Sequence, residues 1–288
     1  MQQDFDSLVP GKDFSRRAFV RTAVGSGFAA AVLPVTAETI KTSSEGLEVG
    51  EVFIPVGDFK MPAYRAVPAG KSKAPVILVI SEIFGVHEHI ADVARRFAHL
   101  GYMAIAPELF MRQGDAGSYG EISKLMSEVV SKVPDAQVMG DLDATVDWAK
   151  AQGADTSRLG VTGFCWGGRI TWLFAEHNPG VKAGVAWYGR LVGEANPLQP
   201  SNPIDGVAHL YGPVQGLYGG ADAGIPIDTI DKMKAALSKG SAAARKSQFQ
   251  IYPDTPHAFN ADYRSSYRKE AAEDGWKRCI EWLKANGV

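Results

Sequence analysis

Two kinds of apolar pattern succeed each other along the chain. "EVFIPV" (51–56) and "PAYRAV" (62–67) alternate apolar and polar positions, which predicts an antiparallel hairpin of edge strands turning through Gly57 and Asp58. "APVILVIS" (74–81) is instead a continuous apolar run, as a strand covered on both faces requires. "HIADVARRFAHLG" (89–101) follows with apolar residues at helical spacing and a glycine stop. The pairing then repeats. "YMAIAPE" predicts a second buried strand, residues 120–152 are mostly helical, "RLGVTGF" predicts a third strand and "GGRITWLFAEHN" a third helix. "VKAGVAWYG", "GPVQGLYGG" and "SQFQIYPD" predict further strands, with helices in "DTIDKMKAALSKG" and "YRKEAAEDGWKRCIEWLKAN". Such alternation implies an α/β fold, a mostly parallel central sheet with helices on both faces and right-handed crossovers. Residues 190–212, rich in Pro, Gly and Asn, predict a surface loop over the carboxyl ends of the strands, with a lid as one possible use.

The first residues follow a different rule. "SRRAFVRTAVGSGFAAAVLPVTAET" joins the pair Arg16 and Arg17 to a weakly apolar stretch from Thr22 to Leu33 and small residues ending at Ala37. This pattern predicts a twin-arginine export signal over residues 1–37, cut near Ala37. The bland alternatives are an uncleaved tether or an N-terminal helix. The apolar part is too short for a stable membrane anchor. On this reading residues 38–288 form one domain that meets the twin-arginine export machinery and ends in a periplasm or outside the cell.

Composition narrows the function classes. The 288 residues are 45% hydrophobic, and 30 basic against 32 acidic residues, mixed along the chain, leave a formal charge of −2. A core of ordinary size is available, and nothing in the charge pattern attracts nucleic acid. Export raises the matter of disulfides, since the chain has two cysteines, Cys165 and Cys279. Cys279 recurs at helical spacing with Trp276, Ile280 and Leu283 and reads as an apolar contact, so two free thiols are expected.

Ligands of open parallel sheets bind beyond the carboxyl ends of the strands, where Glu82, Cys165, Asp222 and His257 are expected. Gly163-Phe164-Cys165-Trp166-Gly167 fits the nucleophile elbow, with cysteine in place of serine. The following helix would start beside the sulfur and favour negative charge there. By itself the pattern fits a small buried residue at a strand-helix bend equally well. The order Cys165, Asp222, His257 adds the nucleophile, acid and base sequence of a hydrolytic triad. Taken singly, Asp222 also reads as a turn former and His257 as a loop residue packed on Phe259. His87, Glu88 and His89 stand together, but spacing of two on a helix does not share a face, so no metal is expected. His99, His177 and His209 read as surface or packing residues. Neither "GADAG" nor "GFCWGG" has the lysine or glycine spacing of a phosphate loop.

These residues carry a family resemblance. "SEIFGVHEHIADVARRFAHLGYMAIAPELF", "GFCWGG", "YGGADAGIP" and "HAFN", in that order, resemble the dienelactone hydrolases, or carboxymethylenebutenolidases, of the α/β-hydrolase superfamily, from about residue 50 to 285. The resemblance implies Cys165 as nucleophile, His257 as base, Asp222 as orienting acid, and Glu82 as a carboxylate that helps control thiolate formation. It also implies an oxyanion hole from the Ile83 and Trp166 amides, and Arg112 as the residue that holds a substrate carboxylate. A second arginine of the family, four residues after the histidine, is Ala261 here; Arg264 is nearby but out of register. Trp166 either reshapes the pocket or packs between helix and sheet. The expected activity is cleavage of a small ester or lactone, by a monomer without cofactor. The rivals are a broad esterase or thioesterase, and a non-catalytic ligand-binding or thiol-redox protein of the same fold.

Overall fold

A computed structural model describes residues 39–288, so the predicted export signal lies outside the described residues. In chain order the elements are β1 (Leu47–Val56), β2 (Phe59–Pro68), β3 (Pro75–Ile80), α1 (Glu88–His99), β4 (Met103–Pro107), α2 (Ile122–Glu128), α3 (Asp135–Ala151) and β5 (Asp155–Phe164). There follow α4 (Trp166–His177), β6 (Val181–Trp187), β7 (Val214–Gly219), α5 (Ile227–Leu237), α6 (Ala242–Lys246), β8 (Gln248–Tyr252) and α7 (Lys269–Ala285). The strands form one sheet in the order β1-β2-β4-β3-β5-β6-β7-β8. β2 runs antiparallel to β1 and to β4, and the other pairs are parallel. This is the expected mostly parallel α/β sheet.

One expectation fails in detail. β1 is an edge strand, but β2 is interior, because Ala63–Ala66 pair with Ala104–Pro107 of β4. Met61, Ala63 and Ala66 are buried, and the alternation that suggested an edge reflects a strand whose partner arrives forty residues later.

The central strands follow from their composition. All six residues of β3 are buried, and each large aliphatic side chain removed from water contributes about 1.5–3 kcal/mol. Helix α1 puts Ile90, Val93, Ala94 and Phe97 on the sheet and stops at Gly101, whose φ of +99° suits a residue without a side chain. Helix α7 approaches closely at Gly275, where a methyl group would stand 2.7 Å from the Trp187 ring. Cys279 of α7 is fully buried, burial pushes its thiol pKa up, and both cysteines are free.

The segment from Arg190 to Gly212 is tied down. It contains a 3-10 turn, Pro203–His209, with a capping box between Asn202 and Asp205. Leu198 accepts from the Asp135 N–H, and Ser201 accepts from Arg169, which also grips Asp135 in a buried bidentate pair.

Candidate active site

The site gathers at the carboxyl ends of β3, β5, β6, β7 and β8. Cys165 sits between β5 and α4 with φ 55° and ψ −113°, a conformation L side chains rarely adopt. The glycines around it leave no room for alternatives. A methyl on Gly163 would lie 2.2 Å from the Gly167 carbonyl oxygen, one on Gly167 2.3 Å from that of Ile80, and one on Gly168 2.5 Å from that of Trp187. The strained turn is held by the Cys165 N–H donating to Trp187 and by Cys165 accepting from Gly168 and Arg169. Strain concentrates here: of the four non-glycine residues with positive φ among the described residues, Cys165, Tyr188 and Ala258 lie at this site.

Around the cysteine stand the other sequence candidates. His257 Nδ1–H donates to Asp222 Oδ2 at 2.6 Å, and the ring also shares a hydrogen bond with Cys165. Asp222 is buried, its Oδ1 accepting from the Gly224 N–H at 2.9 Å, while the His257 side chain keeps 35% of its surface exposed. Burial works against charge on the imidazole. The negative charge of Cys165 and the hydrogen bonds to Asp222 and Cys165 overcome it, pushing the His257 pKa up to about 10. The Ile83 and Trp166 amides donate to no acceptor among the described residues, and the Trp166 amide opens the first turn of α4, where N–H groups are free for an anion.

Glu82 and Arg112 have partners of their own. Glu82 is 1% exposed and its Oε2 accepts from His87 Nε2 at 3.2 Å. Burial opposes its charge, but the hydrogen bond and electrostatic interaction with His87, together with His89, hold its pKa at about 2. Its Oε1 is buried without a hydrogen-bond partner. Arg112 makes a bidentate pair with buried Asp141, at 2.6 and 2.8 Å, and stacks on the Phe59 ring.

Three residues were not singled out from the sequence as parts of a site. Tyr188 packs edge-on against His257, with ring centroids 5.0 Å apart, and Tyr263 packs against His87 and His89. Both phenol oxygens are buried, have no hydrogen-bond partner among the described residues, and interact electrostatically with Glu82 and Cys165; Arg264 reaches both as well. His89 is a second buried histidine, bonded through Nδ1 to Asp262 at 3.0 Å. Trp166, already singled out from the sequence, lays its ring on Phe110 after β4 at 4.6 Å, and its buried indole N–H has no hydrogen-bond partner among the described residues. The sequence signal for these residues was weak, since "GVHEH" and "ADYR" carry no pattern beyond polarity. Among the described residues no group of histidine, cysteine and carboxylates could hold a metal, and no helix is long and apolar enough to cross a membrane.

The family model described as the dienelactone hydrolase family matches residues 61–287. A protein of Methylorubrum extorquens named "Putative carboxymethylenebutenolidase" is 59% identical over 99% of this chain and 98% of its own. One of the same name from Escherichia coli strain K12 is 49% identical over 92% of this chain and 97% of its own. The crystal structure of a "Putative Dienelactone Hydrolase" from Klebsiella pneumoniae superposes with a TM-score of 0.80 at 52% identity, covering 83% of this chain and 98% of that one. Matched over most of its length by the family model and by relatives well above 30% identity, the chain belongs to the dienelactone hydrolase family and is a hydrolase of the α/β-hydrolase fold.

Proposed function

We propose that this hydrolase cleaves a lactone or small carboxylic ester through Cys165. The Cys165 thiolate attacks the carbonyl carbon, and the carbonyl electrons move to an oxygen held by the Ile83 and Trp166 amides. Collapse of that intermediate expels the alkoxide, which takes its proton from the His257 imidazolium and leaves a thioester on Cys165. His257 then deprotonates a water, hydroxide attacks the thioester, and the acid leaves as the thiolate re-forms. Asp222 keeps the ring in the tautomer with hydrogen on Nδ1. The observation that carries the reading is the continuous Asp222, His257, Cys165 hydrogen-bond chain on a strained elbow.

A second reading concerns the substrate. Arg112 is already satisfied by Asp141, and Ala261 offers no charge, which favours a broad esterase that accepts neutral substrates over one that grips a carboxylate. Both readings are tested by a panel of neutral aryl esters and anionic lactones, run on the Cys279→Ala variant before and after stoichiometric thiol alkylation. Loss of all hydrolysis on alkylation is expected, and retained activity rejects Cys165 as nucleophile. Arg112→Ala is expected to leave KM unchanged for both substrate classes; a rise confined to the anionic lactone would restore the grip. The proposal extends to location: Arg16 and Arg17 direct export to the periplasm, where the chain works as a monomer, and replacing both by lysine is expected to strand the precursor in the cytoplasm.

A further inference from the structure

The Glu82 carboxylate raises a problem of charge. β3 and β5 pair in parallel with Ile80 opposite Gly163, so Glu82 and Cys165 each follow the last pair of two adjacent strands by two residues, and the buried phenols of Tyr188 and Tyr263 interact electrostatically with both. Gly167 lets the elbow pack on the end of β3, since a methyl there would collide with the carbonyl oxygens of both Ile80 and Ser81. A buried carboxylate beside a thiol disfavours the thiolate.

We propose that His87 is the positioning residue that resolves this conflict, holding Glu82 through Oε2 and offsetting its field so that Cys165 can ionise beside it. The inference rests on Cys165 being the nucleophile. An ionised carboxylate has no proton to give, so His87 Nε2–H is the donor. The ring is suited to the task because it belongs to the start of α1, is 25% exposed while Glu82 is 1% exposed, and is steadied by the Tyr263 edge at 5.1 Å and by stacking with His89. Glu82 interacts electrostatically with His87 and His89 from the α1 start and with the phenols of Tyr188, after β6, and Tyr263; those two tyrosines also interact with Cys165 and Arg264, His257 bonds Cys165, and Asp262 stands behind His89. His87 is the side-chain hydrogen-bond partner of Glu82, whose own backbone amide also favours its charge.

The test measures the pH dependence of Cys165 alkylation by iodoacetamide, and of kcat/KM for a neutral aryl ester, in the Cys279→Ala background. His87→Phe is expected to raise the alkylation midpoint by about one pH unit, a tenfold loss of thiolate on its acid side, and to move the acid limb of kcat/KM by the same amount with KM unchanged. His87→Gln keeps a donor and is expected to recover part of the shift, and it serves as the probe should the Phe variant not fold. In a Glu82→Gln background, the His87 substitutions are expected to have no effect on either midpoint. A midpoint unmoved in both variants, or an equal shift with and without the Glu82 carboxylate, overturns the proposal. Hydrolysis surviving full alkylation would reject the nucleophile assignment instead, and the alkylation midpoints separate the two failures.

Discussion

Of the three histidine–aspartate couples among the described residues, two are bonded through Nδ1, while His177 meets Asp143 through Nε2 at the surface. His257 meets Asp222 through Nδ1 at 2.6 Å, and His89 meets Asp262 through Nδ1 at 3.0 Å. They differ in what surrounds them. The His257 side chain is 35% exposed and its ring also bonds Cys165, whereas the side chains of His89 and Asp262 are 2% and 1% exposed. Asp262 is shared further with Arg96 and with the Ile40 N–H, so the second couple ties the start of the described chain and α1 to the segment after His257. The His89 Nε2 has no hydrogen-bond partner among the described residues. A histidine oriented by aspartate is therefore not by itself a catalytic device. Access and a reactive neighbour for the second nitrogen distinguish the pair we assign to chemistry from the pair that fastens the fold.

Substituting each aspartate separates the two roles. Asp222→Asn is expected to lower kcat on an ester substrate by about 10³–10⁴-fold, through the wrong imidazole tautomer, with a small change in stability. Steady-state kinetics beside thermal unfolding would check this, and a loss below tenfold would break the contrast. Asp262→Asn is expected to do the reverse, costing about 2–4 kcal/mol of stability because Arg96 and His89 lose a buried counter-charge, while kcat changes less than about threefold. Burial opposes the charge of Asp262, but His89, the Ile40 N–H and Arg96 together lower its pKa. The stability it contributes is therefore present above the ordinary carboxylate range and lost as pH falls through the lowered value. Acid titration of folding should show that loss in the wild type and a flatter limb in the variant.

The smallest effect comes from a carboxyl group with no histidine. Glu176 of α4 has a buried Oε1 without a partner, and burial, reinforced by Asp205, raises its pKa to about 9. The folded protein keeps a proton there that the unfolded chain releases above about pH 4.3, so stability declines as pH rises from that point through about 9. Glu176→Gln is expected to raise Tm at pH 8.5 by about 2–4 °C, the shift that 1 kcal/mol produces at this chain length, and to leave Tm at pH 4 unchanged. An equal gain at both pH values would show that the carboxyl is not held protonated.

Most of the sheet was legible along the chain because its signals are local. The unbroken apolar run of β3, the helical spacing of α1 and the glycine at its end each describe their own surroundings, and the elbow's small residues record how closely β5, α4 and Ile80 approach. β2 was misread as an edge strand because its second neighbour, β4, is distant in sequence. The partners of individual polar groups were hidden for the same reason. Nothing near Arg112 announces Asp141, twenty-nine residues away, and nothing in "GVHEH" announces that His87 meets Glu82 while His89 meets Asp262, 173 residues away.

The amino-acid sequence thus determined the kinds of element, their order, and the residues able to do chemistry at strand ends, because side-chain periodicity and backbone sterics act over a few residues. Only the tertiary structure decided which of the His–Asp couples bonds a thiol, whether Arg112 is already paired, and which side chain meets the buried Glu82 carboxylate. Those are matters of hydrogen-bond direction and charge separation over a few ångströms, and they take values only after distant segments have packed together.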